Sequence, residues 1–252
     1  MPAEKPKKSR LDALLVARGL AETRTKAAAL VLAGVVYSGE KRLDKPGTPV
    51  RDDLPIEVRG APHPYVSRGG LKLAHALDHF SIPVEGRVGL DLGASTGGFT
   101  DVLLKRGARR VYAVDVGYGQ LDAKLRGDDR VVVLERTNAR HLTAKEIPEP
   151  VDLIVCDASF IGLRLVLPAA MALAANGAHL VALIKPQFEV GKDRVGKGGI
   201  VRDPALHEEV CATITAWLGA LPGWHVLGLS PSPIEGAEGN KEFLIVAHVM
   251  SR

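Results

Sequence analysis

The sequence predicts an α/β protein. Its main body is one mostly parallel sheet with a single antiparallel strand, and a small α+β unit precedes it. Three observations lead there. Apolar runs with strand character alternate with helical patterns over roughly the last 180 residues. Val88 to Gly98, V-G-L-D-L-G-A-S-T-G-G, read as a strand running through a glycine-rich turn into a helix. Finally, the next apolar run, Val111 to Val114, ends in an acid, Asp115, 22 residues after Gly93.

The elements follow in order. Residues 1–8 form a Lys/Pro-rich basic tail, expected to be flexible. Residues 10–18 read as a short helix with Leu11, Leu14 and Leu15 as its apolar stripe, stopped by Gly19. Thr23 caps a second helix that runs to Leu32 and stops at Gly34. Short strands from Val35 to Val58 complete the small unit, 9–58, and the proline-broken stretch 59–64 reads as a linker to the main domain, 65–252.

In the main domain a helix is expected over 71–80, with Leu73, Leu77 and Phe80 on one side. The glycine-turn strand and its helix follow, then strands at 111–114, 131–134 and 151–156. Residues 165–184 carry no charge and are long enough to suggest a bilayer span. Pro168 and Asn176-Gly177 interrupt them, so the expectation is a helix to Ala175, a turn, and a buried strand over 178–184. Residues 190–202, rich in Gly and Lys, read as a mobile loop, 205–221 as a helix, and 225–229 and 243–249 as the last two strands.

Composition narrows the function classes. The N-terminal 60 residues hold 12 Lys+Arg against 8 Asp+Glu, which accounts for the whole net charge of +4. A basic segment on a neutral body points to a polyanion, and RNA is the expectation for Arg10, Arg18, Arg24, Lys26, Arg42 and Lys45; an ordinary solvated face is the alternative for any one of them. Cys156 and Cys211 lie in apolar surroundings and read as core residues, consistent with a reducing compartment. No metal-ligand spacing occurs, and the opening M-P-A-E-K-P-K-K-S-R lacks the apolar run of a signal peptide, so a cytoplasmic protein is expected.

The glycine turn departs from the dinucleotide pattern G-x-G-x-x-G, because Ser95 stands where the middle glycine belongs. It fits D-x-G-x-S-x-G, the form usual for S-adenosylmethionine (SAM). A bare strand-to-helix turn that binds nothing is the alternative, and Asp115, placed to bind ribose hydroxyls, weighs against it. The cofactor residues expected are Asp91, Gly93, Ala94, Ser95, Thr96, Gly97, Gly98, Asp115, Asn138 (toward an adenine edge) and Asp157. Ligands bind outside the carboxyl ends of parallel strands, so Gly93, Asp115, Asp157 and Lys185 should converge, and Glu242, opening an antiparallel strand, faces the same rim. Lys72 reaches it from the preceding helix. Arg136 and Arg140 in E-R-T-N-A-R, with Arg68, are expected to add RNA contacts.

These runs carry a resemblance. R-L-D-A-L-L-V-A-R-G-L-A-E-T-R at 10–24, A-G-V-V-Y-S-G at 33–39 and K-P-G at 45–47 resemble the α-L RNA-binding domain of the ribosomal-protein S-four type. V-S-R-G-G-L-K-L at 66–73, D-L-G-A-S-T-G-G-F-T at 91–100, D-V-G-Y-G-Q at 115–120, D-A-S-F-I at 157–161, K-P-Q-F-E-V-G at 185–191 and G-N-K-E-F at 239–243 resemble FtsJ-type ribose methyltransferases, whose fold is a Rossmann-like SAM-dependent sheet. The two-domain arrangement is similar to the TlyA family of rRNA 2′-O-methyltransferases, several of which carry a hemolysin label. The resemblance implies a K-D-K-E tetrad at Lys72, Asp157, Lys185 and Glu242. It also implies SAM as cofactor and ribosomal RNA in ribosomal subunits as substrate, at cytidine riboses, with no membrane and no obligate protein partner.

Chemistry assigns roles within the tetrad. A ribose hydroxyl attacking a sulfonium methyl must lose its proton, and a lysine takes it only after shedding its own, which burial and a second nearby cation favour. Lys185 is therefore expected to be the base. Asp157 would orient it, standing far enough off not to neutralise it, and Lys72 and Glu242 would position the ribose. Base methylation lacks support: the Asn/Asp-Pro-Pro-aromatic run of amine methyltransferases is absent where D-A-S-F stands, and Cys156 points away from the rim. A membrane-lysing protein and a catalytically dead RNA binder remain as the other readings.

Overall fold

The computed structural model describes residues 8–21, 23–39, 41–58, 63–236 and 239–250. The expected tail up to residue 7 and residues 59–62 of the expected linker lie outside the described residues. The chain divides into two compact units, Met1–Pro62 and His63–Arg252.

The first unit runs β1 (Lys8–Arg10), α1 (Leu11–Ala17), α2 (Arg24–Leu32), β2 (Val36–Ser38), β3 (Lys41–Arg42), β4 (Pro49–Arg51) and β5 (Glu57–Val58). Leu11, Leu14 and Leu15, spaced for one helical face, meet Ala27 and Val31 of α2 and Val36 and Val50 in a small core. Thr23 Oγ1 accepts a hydrogen bond from the Lys26 amide at 3.2 Å, capping α2. The first helix starts one residue later than its pattern suggests. Lys8–Arg10 are drawn into antiparallel pairing with Pro49–Arg51, a long-range contact that charged residues do not announce.

The second unit runs α3 (Gly69–His79), β6 (Val88–Leu92), α4 (Gly98–Lys105), β7 (Arg110–Val114), α5 (Ala123–Arg126), β8 (Val131–Leu134), β9 (Val151–Cys156), α6 (Leu163–Met171), β10 (Ala174–Ile184), α7 (Pro186–Glu189), α8 (Pro204–Gly219), β11 (Trp224–Pro231) and β12 (Phe243–Val249). Its seven strands lie in the order β11-β12-β10-β9-β6-β7-β8. Only β12 runs against its neighbours, pairing antiparallel with both β10 and β11. Alternation along β10 feeds two cores. Leu180, Ala182 and Ile184 pack with Val166 and Leu167 of α6 and Ile214 of α8. Val181 and Leu183 pack with Leu73 and Leu77 of α3 and Leu103 of α4 on the other face. After β6 the chain moves outward through β7 and β8, then returns to β9 on the other side of β6. That reversal opens a crevice at the carboxyl ends of β6 and β9.

Two expectations are corrected. The helix expected to reach Ala175 ends at Met171, and β10 already begins at Ala174. Asn176-Gly177 is not a turn but an irregularity within the strand. The register with β9 shifts between Ala174 and His179, and Gly177 takes φ 74°. The loop over 190–202 contains short 3₁₀ turns at Lys192–Arg194 and Lys197–Gly199 and is anchored at its far end. Asn240, 2% exposed, accepts from the Val201 amide at 3.1 Å and donates to the Gly199 carbonyl at 3.0 Å. No described helix is long and apolar enough to cross a membrane.

Candidate active site

Strand register brings the four charged residues together. Asp157 and Lys185 directly follow β9 and β10, and Glu242 directly precedes β12, whose Phe243 lies opposite Ile184. Lys72 is the fourth residue of α3, in its first turn. Lys72, Lys185 and Glu242 are buried. Lys72 Nζ lies 2.6 Å from Glu242 Oε2 and 3.8 Å from Asp157 Oδ2. Lys185 Nζ lies 2.7 Å from Asp157 Oδ1 and also donates to the Asp157 carbonyl at 3.0 Å and to Ser159 Oγ at 2.9 Å. Asp157 thus links the two lysines, and two cations balance two anions, the pairing that burial of charge demands. The acids stand closer than the sequence argument expects: each lysine is held in a contact ion pair.

Beside this group the glycine loop is fixed by its own chemistry. Gly93 has φ 81°, and a side chain there would meet the Ala158 backbone at 2.8 Å, so only glycine lets the β6 and β9 loops approach. The Gly93 and Ala94 amides donate to the Val114 carbonyl. Asp115 accepts from the Ser95 amide at 2.8 Å and the Gly117 amide at 2.7 Å, tying the loop to the end of β7. Asp91 lies beneath. Its Oδ2 accepts from the Thr100 amide (2.9 Å) and hydroxyl (2.7 Å), while Oδ1 is buried without a partner among the described residues. Complete burial pushes the Asp91 carboxyl up to about 7.

A cleft of about 370 Å³ is lined by Gly93, Ala94, Ser95, Thr96 and Gly98 together with all four charged residues. That is within the range of small-molecule sites. Asp91, Gly97, Asp115 and Asn138 do not line it. Asp91 and Asp115 support the loop from behind, Gly97 takes φ 97° to start α4, and Asn138 accepts from the Arg140 amide at 3.1 Å. Neutral residues that the charge-led reading passed over also line the cleft: Ser67, Ser159, Phe160, Gln187 and Phe188. All sit inside the motif runs quoted above. Phe160 is 91% exposed, takes φ 65° and packs against Phe188 with ring centres 5.1 Å apart.

The expected RNA-binding residues divide. Arg10 and Arg24 both engage Asp12, and Arg10 holds that carboxyl well below the usual range. Arg18 donates to the Leu54 carbonyl at 2.6 Å and to the Asp52 carbonyl. Lys41, Arg42 and Lys45 line a groove of about 310 Å³ in the first unit. In the second unit Arg68 lines the cleft, Arg136 lies over the Tyr118 ring at 4.3 Å, and Arg140 is exposed.

Comparison with known proteins agrees with this architecture. Residues 65–249 match the model of the FtsJ-like methyltransferase family, and residues 9–55 match that of the S4 domain. The chain is 53% identical over 243 residues to YqxC of Bacillus subtilis (strain 168), named as an rRNA methyltransferase, covering 96% of this chain and 86% of that one. It is 50% identical over 240 residues to the 16S/23S rRNA (cytidine-2′-O)-methyltransferase TlyA of Mycobacterium tuberculosis (strain ATCC 25618 / H37Rv), covering 95% and 89%. Among solved structures, a Streptococcus thermophilus protein described as a hemolysin superposes with a TM-score of 0.76 at 45% identity, covering 97% of this chain and 89% of that one.

Proposed function

This chain belongs to the FtsJ-like methyltransferases and, with its S4 domain, to the TlyA group of them, and from that premise we propose that it methylates ribose 2′-hydroxyls of ribosomal RNA with SAM. The observation that carries the reading is the Lys185–Asp157–Lys72–Glu242 chain of ion pairs in one cleft with the glycine loop. The cofactor supplies an electrophilic methyl on a sulfonium. The loop over 93–98 would hold it, with Asp115 as acceptor for ribose hydroxyls and Asp157 as the carboxylate nearest the cation. The residues present suit this group, because glycine at position 93 admits close backbone approach.

Lys185 acts as the base. Its Nζ would take the proton of the 2′-hydroxyl, leaving the ribose oxygen to receive the methyl that the cofactor would supply. Asp157 fixes Nζ from two sides, through carboxylate and carbonyl. Lys72, locked on Glu242, presents a cation to the incoming ribose. Positioning supplies most of the acceleration, and general-base action contributes about 10²–10⁴-fold. The names of the relatives direct the choice of RNA to cytidine riboses of ribosomal subunits. The test is methyl transfer from labelled SAM to purified small and large subunits that lack the modification. Label in a nucleoside that resists alkaline cleavage supports ribose methylation; label in a base overturns it.

A further inference from the structure

Lys185 reaches its task through a neighbour that carries no charge. A lysine ammonium has three N–H donors. On Lys185 two of them meet an acceptor, the Asp157 carbonyl at 3.0 Å and Ser159 Oγ at 2.9 Å, while Asp157 Oδ1 stands 2.7 Å from Nζ as an ion pair without hydrogen-bond geometry. The carboxylate and the carbonyl only accept, so they can take an N–H of the ammonium or of the neutral amine but offer nothing to a lone pair. The serine hydroxyl both donates and accepts. It is the partner that can also donate to the lone pair of the neutral amine, and the one that turns aside without leaving a buried charge unpaired.

Its surroundings suit this. Lys185 is 7% exposed, whereas Ser159 is exposed and lines the cleft, so its hydroxyl stands between the amine and water. The loop that carries it is held at both ends. The Asp157 amide donates to the Leu92 carbonyl at 3.0 Å. Glu189 Oε1 accepts from the Leu163 amide at 2.7 Å, just past the turn where Phe160 takes its positive φ. An off-pattern backbone fixed in this way is a mark of a position held for a purpose.

We propose that Ser159 is a positioning residue for Lys185. Its hydroxyl holds one direction of Nζ in the resting protein, yields it to the ribose 2′-hydroxyl, and bonds Nζ again as the proton leaves for water. The inference rests on the reading of Lys185 as the base of an RNA ribose methyltransferase.

The test compares Ser159→Ala and Ser159→Thr with the wild type, using labelled SAM and ribosomal subunits lacking the modification, from pH 6 to pH 10. Ser159→Ala is expected to lower kcat about tenfold, because Nζ is no longer aimed into the cleft and no hydroxyl takes it up again as its proton leaves, with KM for SAM and RNA unchanged. The ammonium loses a stronger bond than the neutral amine does, so the rising limb of the pH–rate profile moves to lower pH. Ser159→Thr, which keeps the hydroxyl, is expected to restore both rate and profile. Wild-type kcat and profile in Ser159→Ala overturn the proposal. So does a lower kcat with an unmoved limb, or a loss that threonine does not repair in a folded protein, because either marks a merely structural contact. A wild type that transfers no methyl to RNA overturns instead the functional reading beneath it.

Discussion

Lys185 and Asp157 meet twice: Nζ lies 2.7 Å from the carboxylate Oδ1 and 3.0 Å from the main-chain carbonyl of the same residue. One acid thereby fixes both the charge balance and the direction of the amine. Its other oxygen faces Lys72, at 3.8 Å, so the two lysines are organised around a single carboxylate.

Asp115 ties the Ser95 and Gly117 amides together while lying outside the cleft lining. Asp115→Ala releases both and removes the expected ribose acceptor. Titration calorimetry should show SAM affinity falling about 10–100-fold, from about 1.5–3 kcal/mol for hydrogen bonds to a charged group. Unchanged affinity would remove Asp115 from the cofactor site.

Asp91 makes stability depend on pH. Burial raises its folded pKa from 3.8 to about 7. The protonated form is the one the fold favours, so its contribution is full below about 4 and is lost as pH rises through about 7. Asp91→Asn should therefore gain stability relative to wild type as pH climbs across that window, read as the difference in thermal midpoint. A constant difference from pH 4 to pH 8 would show that Asp91 does not titrate there.

Phe160 presents an aromatic face to solvent at the cleft mouth. Unpaired bases stack on such rings for about 1–3 kcal/mol. Phe160→Ala should raise KM for RNA about tenfold, leave SAM binding alone and barely move the thermal midpoint. An unaltered KM for RNA would make the ring irrelevant to substrate binding.

The groove lined by Lys41, Arg42 and Lys45 should contact phosphates. RNA affinity should then fall steeply with salt, and replacing Arg42 and Lys45 with alanine should flatten the log–log slope by about two. A slope equal to wild type would place RNA binding elsewhere.

Much of this was legible in the residues. Gly93, Asp157 and Lys185 stand at strand ends, which hydrophobic periodicity locates well, and the antiparallel start at Glu242 follows from the two closely spaced final strands. Three features were not legible, each for a physical reason. Lys8–Arg10 pair with Pro49–Arg51 across the first unit, and local pattern holds no record of so distant a partner. Asn176-Gly177 has the chemistry of a turn, yet a bulge in β10 uses the same backbone freedom. Ser159 and Phe160 lack charge, so a search led by titratable groups passes over them; only the folded loop shows what they touch.

The most direct test of the central claim is the alkali-resistant methyl label formed on ribosomal subunits by wild type and by Lys185→Ala, with SAM binding measured in parallel. The account predicts a loss of about 10²–10⁴-fold in turnover at neutral pH while SAM still binds. A Lys185→Ala protein that turns over at near wild-type rate, at neutral and at high pH alike, would contradict it.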